Sequence, residues 1–156
     1  MSDLISSDSP YSEQQRATLA AILGLMIPAA DAYKVPGADD PAIFSAIVSQ
    51  SLSEQDYIAG ELDKISQMAE QETGSSFAEL TPEQQMALAE QIGLGSPFFR
   101  LLSVIAVQCY YMDDRVLTSL EFEPRPPFPQ GHQIEQGDWS LLDPVKAMPR
   151  RWRKTD

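Results

Sequence analysis

The sequence predicts an all-α fold, a bundle of about five helices followed by a long irregular, Pro-rich C-terminal arm. Three observations carry that prediction. Helix-start signatures recur along the first 120 residues, apolar residues between them are spaced by three and four, and no alternation longer than four residues signals a β-strand. At 156 residues the chain is long enough for one sizeable core. With 43% hydrophobic and 22% charged residues its composition is that of an ordinary globular domain. The reading divides it into a flexible N-terminus (1–11), a helical bundle (12–120) and an extended arm (121–156).

The elements follow in order. Ser12 and Gln15 form a capping box before an apolar face at Leu19, Ile22, Leu23 and Met26. Pro28 closes this first helix, because the residue before a proline is pushed out of the helical region. Residues 28–40 read as a surface loop with a Pro36-Gly37 turn. Asp40 then caps a second helix with Pro41 at its first position, where a missing N–H costs nothing, and Phe44, Ile47, Val48 and Leu52 supply its inner face. Ser53 with Asp56 is expected to cap a third helix, running to about Glu72 with Ile58, Leu62, Ile65 and Ala69 inward. Gly74 sits where a left-handed residue would end it, and Phe77 and Leu80 are placed to plug the core edge.

Thr81-Pro82-Glu83-Gln84 is the clearest helix start, and Met86, Leu88, Ala89 and Ile92 form the face of the fourth helix before Gly93-Leu94-Gly95. Ser96-Pro97 opens a fifth, from Phe98 to about Met112. Phe98, Leu101, Leu102, Ile105, Val107 and Tyr110 make it apolar nearly all round, which predicts a central, buried helix. A shorter helical turn is expected over 115–120. From Pro124 to Pro129 four prolines fall within six residues, which reads as an extended, polyproline-like segment. Beyond it only a short turn around Leu141–Met148 breaks the lack of periodicity.

Charge narrows the function. The net charge is -12, a surface that repels phosphates, so nucleic acid and anionic lipid are disfavoured partners. Residues 1–145 hold 22 acidic and 6 basic side chains, whereas 146–156 hold five basic side chains against Asp156 alone. That basic end is either a solvated tail or a clamp for an acidic surface. The longest apolar stretch, Leu19 to Ala30, is too short for a bilayer, which needs roughly 20 residues. The N-terminus lacks the basic and apolar regions of a signal peptide, so a cytoplasmic location is expected unless a partner carries the chain out.

No reactive set assembles from the sequence. Gly93-Leu94-Gly95 lies at a helix end rather than between strand and helix, as a phosphate loop would. His132 stands alone in a Pro/Gly-rich stretch, 23 residues from Cys109, the single cysteine, which reads as a small buried hydrophobe. Asp39-Asp40 reads as a helix cap with its neighbour, and Asp113-Asp114-Arg115 as a helix-end salt-bridge cluster. No catalytic, cofactor-binding or metal-ligating residue is therefore assigned. The arm, in contrast, concentrates residue types that dominate protein interfaces: Arg125, Phe128, Trp139, Arg150, Arg151, Trp152 and Arg153 are the candidate partner-binding residues. The arm could instead wrap its own bundle.

Several motifs together resemble a known family. Ile27-Pro28-x-x-Asp31 followed by Pro36-Gly37-Ala38, then Tyr110-Tyr111-Met112-Asp113-Asp114-Arg115-Val116, Pro127-x-Pro129-x-Gly131 and Leu141-Leu142-x-x-Val145 with terminal arginines, is similar to the gluconate 2-dehydrogenase subunit 3 family over roughly residues 12–153. The resemblance implies the small, non-catalytic subunit of a flavin-dependent sugar or alcohol dehydrogenase. Its large partner would be of the glucose–methanol–choline oxidoreductase type and would bind the FAD, with a cytochrome c subunit as a further partner. The small subunit would support folding, stability or export of the large one. The chain departs from the family at its start, where a twin-arginine export signal is common. It departs again at Leu120-Glu121-Phe122-Glu123, where a glycine–aromatic pair is usual. A stand-alone helical adaptor or regulator without a flavoprotein partner is the alternative.

Overall fold

The computed structural model describes residues 9–126, 128–131 and 135–149. Seven α-helices lie among them: α1 (Glu13–Met26), α2 (Pro41–Gln50), α3 (Gln55–Thr73), α4 (Pro82–Ile92), α5 (Pro97–Tyr110), α6 (Asp114–Ser119) and α7 (Asp143–Lys146). The described residues contain no β-strand, and the all-α prediction holds. The chain divides into two compact units, Met1–Pro124 and Arg125–Asp156.

The first unit starts its helices where the sequence signals them. Ser12 and Thr81 each make a full capping box, with Gln15 and Gln84 bonding back to the cap N–H. Asp40 and Ser96 cap α2 and α5, each followed by proline at the first position. Gly74 ends α3 at φ 73°, the left-handed region that a residue with a Cβ avoids. α1 packs on α3 and α2 on α5. Leu19, Leu23, Ile43, Ile47, Ile58, Leu62, Phe98 and Leu102 are essentially removed from water. Phe77 and Leu80 are buried in and after the 3₁₀ turn Phe77–Glu79, as a plug should be. The core's polar groups are paired: Thr18 with Ser66 (3.0 Å), Tyr11 with Ser51 (2.8 Å), and the Gln85 amide donating to the Phe77 carbonyl (2.9 Å).

Four expectations for the bundle are corrected. Ser53 does not cap α3: it lies inside the 3₁₀ turn Leu52–Glu54, which runs directly into the helix, and Glu54 takes the cap position without a side-chain bond. The same turn carries Leu52 outward rather than into the core. Met86 is exposed on α4, while the polar Gln85 takes the buried place because the Phe77 carbonyl gives its amide a partner. Most consequential, α5 is not buried all round. It buries Phe98, Phe99, Leu102, Ile105, Ala106, Cys109 and Tyr110, and leaves Val104 and Val107 in water. Among the described residues nothing covers these two side chains to a buried level.

The second unit holds the 3₁₀ turn Trp139–Leu142 leading into α7, where the sequence places a short turn. The Pro-rich run is not extended throughout. The chain turns at 128–130, and the Arg125 guanidinium donates across the turn to the Gly131 carbonyl at 2.7 Å.

Candidate interaction surface

The fourteen-residue loop between α1 and α2 is folded on itself by backbone hydrogen bonds. The Ala38 N–H bonds the Ile27 carbonyl (2.9 Å), closing residues 27–38 onto the end of α1 and burying Ala38 completely. Ala30 and Val35 exchange two backbone bonds around a 3₁₀ turn, Asp31–Tyr33, which Lys34 completes at φ 57°. The turn expected at Pro36-Gly37 spans residues 37–40, where the Asp40 N–H bonds the Gly37 carbonyl. Gly37 is required by space. A Cβ there would collide with the Asp39 carboxylate and lie 3.0 Å from the Ala29 nitrogen and 3.2 Å from the Ile27 oxygen.

The segment after α5 is joined to this loop. The Tyr110 hydroxyl donates to the Pro36 carbonyl (3.1 Å) across 74 positions of sequence. Arg115 forks onto two carboxylates at once. Its Nη1 and Nη2 donate to Asp40 (3.1 and 2.7 Å), and its Nε and Nη2 to Asp113 (3.0 and 2.8 Å). Both acids also cap helices, Asp40 taking the Ala42 N–H and Asp113 the Arg115 N–H. One guanidinium therefore locks the start of α2 to the start of α6. The bonds to Arg115 hold both carboxyls below the usual Asp range, so they stay ionised and do not act as acids near neutral pH. The expected cluster at Asp113–Arg115 is present, and Asp40 is a partner that the spacing did not reveal.

α6 ends in a Schellman motif: the Phe122 N–H bonds the Leu117 carbonyl and the Glu121 N–H that of Thr118, both at 3.0 Å. Glu121, at φ 63°, takes the left-handed position usually filled by glycine.

On this braced scaffold several of the side chains facing water are apolar. Tyr33 is 73% exposed, Tyr111 51%, Met112 77% and Phe122 64%; Val107 and Val104 lie one and two turns back along α5 from Tyr111. Tyr33, Val35, Tyr110, Tyr111 and Leu120 line a shallow pocket of about 260 Å³. The Tyr110 and Tyr111 rings meet edge to face at 5.4 Å. In the second unit Phe128 and Trp139 are exposed, and Arg125 bonds within its own turn. Arg150, Arg151, Trp152 and Arg153, like His132, lie outside the described residues. Cys109 is buried, and burial pushes its thiol pKa up. Among the described residues no group of three His, Cys, Asp or Glu is placed to hold a metal, and no helix is long and apolar enough to cross a membrane.

These features define an all-α bundle with one braced, aromatic-bearing face. The chain belongs to the gluconate 2-dehydrogenase subunit 3 family, whose model matches residues 13–124, and the family's name describes a subunit of a dehydrogenase. No curated protein and no solved structure matches it. The matched span contains both halves of the braced face.

Proposed function

We propose that this chain is the non-catalytic small subunit of an FAD-dependent sugar or alcohol dehydrogenase. It binds the large, glucose–methanol–choline-type flavoprotein and supports its folding, maturation or export. The flavin belongs to the partner, and a cytochrome c subunit is a further member of the assembly. The family match carries this reading. Supporting it, the two carboxylates that the fold brings together are held ionised by Arg115, an arrangement suited to bracing and unsuited to general acid catalysis. The exposed Phe128 and Trp139 of the second unit offer further contacts for the same partner.

The test is to co-express the chain with a glucose–methanol–choline-type flavoprotein from the same genome and to fractionate the mixture by size. The reading expects one peak that contains both polypeptides and carries the flavin absorbance. Separate elution at micromolar concentration contradicts it.

A further inference from the structure

Resting on that reading, we propose that the face built from Tyr33, Val107, Tyr111, Met112 and Phe122 is where the large flavoprotein docks, through an apolar patch rimmed by Lys and Arg. Surface apolar residues scattered singly need no explanation, but here they are gathered. Tyr33, Tyr111 and Leu120 share one pocket, Val107 lies one turn from Tyr111, and Phe122 follows Leu120 by two residues. Tyrosine is enriched at binding hot spots, and a shallow pocket beside exposed aromatic rings can receive a partner's anchor.

Backbone conformation singles out the same place. Among the described residues only Lys34 and Glu121 adopt positive φ without being glycine, and each adjoins an exposed aromatic, Tyr33 and Phe122. Left-handed backbone is disfavoured for both residue types and persists only where surrounding bonds over-determine it. Here the Ala30–Val35 pair and the Schellman bonds do so. The two turns thus fix the backbone beside Tyr33 and Phe122.

Charge selects the occupant. Residues 1–124 carry 19 acidic and 5 basic side chains, a balance of -14. Asp31, Asp114, Glu121 and Glu123 are exposed around the face, against Lys34 and, at the start of α5, Arg100; Arg115 is committed to Asp40 and Asp113. A second copy would set one acidic rim against another, and an anionic membrane would be repelled. A basic-rimmed protein surface suits both the apolar centre and the acidic border.

The experiment uses the tagged full-length chain co-expressed with a glucose–methanol–choline-type flavoprotein from the same genome, reading flavin recovered per tagged chain. Val107→Glu with Tyr111→Glu should lower recovery at least tenfold, the order expected when central hot-spot contacts are lost. Leu52→Glu, at an equally exposed site outside the face, should change recovery less than twofold. Raising the salt should slow association of the wild-type chain. Circular dichroism of the double variant should show the wild-type helix content and one cooperative melt, because both side chains are about half exposed and Tyr111 gives up only its edge contact with Tyr110. If the double variant recovers flavoprotein normally while deletion of residues 125–156 abolishes recovery, the docking element is the second unit; this proposal fails and the subunit reading stands. Dimerisation of the wild-type chain alone, removed by the double variant, would make the face a self-contact and overturn the proposal. Failure of the wild type to recover any flavoprotein would overturn the subunit reading and this proposal with it.

Discussion

Arg115→Met should destabilise the bundle in a way that depends on both pH and salt. The substitution keeps an unbranched apolar stem and removes four charge-assisted bonds, two to Asp40 and two to Asp113. The guanidinium is about half exposed, so each ion pair is limited to about 0.2–1 kcal/mol, with the forked geometry favouring the upper part of that range. Both carboxylates keep their helix-capping bonds, and the total loss comes to about 1–2 kcal/mol. For a chain of this size that lowers Tm by roughly 2–8 °C. The sign of the pH effect follows from the carboxyls. Their folded pKa values lie below the usual Asp value of about 3.9, so this stabilisation is complete above that value and is lost as pH falls through the folded values. Calorimetric melts of wild type and variant should differ at pH 7, the difference should shrink as the pH is lowered below the usual Asp value, and 1 M salt should shrink it at neutral pH. An unchanged Tm at pH 7, or a gap that persists undiminished in acid and in salt, would refute the idea that Arg115 acts as an ionic brace.

Glu121→Gly should stabilise the protein by about 0.5–1 kcal/mol, since glycine relieves the left-handed strain while adding some unfolded-state entropy; urea denaturation would report it, and a loss of stability would speak against the Schellman geometry. Gly37→Ala should cost about 1–3 kcal/mol in the same assay, because the new methyl meets two backbone atoms that are fixed by the Ala38–Ile27 closure. Cys109 should react with a thiol reagent at neutral pH only on unfolding, since burial both shields the sulfur and disfavours the thiolate; rapid labelling of the native chain would contradict its placement.

The helices were legible because their signals are local. A cap, a first-position proline and a three–four apolar spacing lie within a few residues of one another, and Ser12, Asp40, Thr81 and Ser96 all behave as those signals require. Where a neighbouring turn intervenes the reading slips, as at Ser53. The candidate face was less legible, because its parts are brought together only by tertiary bonds. Nothing in the spacing joins Pro36 to Tyr110 or Asp40 to Arg115. The informative signal was there in another form. α5 carries more apolar residues than one core can cover, and the surplus at Val104, Val107 and Tyr111 forms the exposed face. An all-round apolar helix means burial by something, and composition cannot say whether the cover is this chain or another. Composition pointed instead to the arm, where Phe128 and Trp139 are indeed exposed.

The most direct test of the account is the yield of soluble, flavin-loaded large subunit with and without this chain. Expressed together, the pair should give soluble flavoprotein, and omitting the chain should leave the large subunit aggregated or depleted of flavin. A large subunit that is equally soluble, equally loaded and equally active alone would contradict the claim that this chain exists to hold and stabilise it.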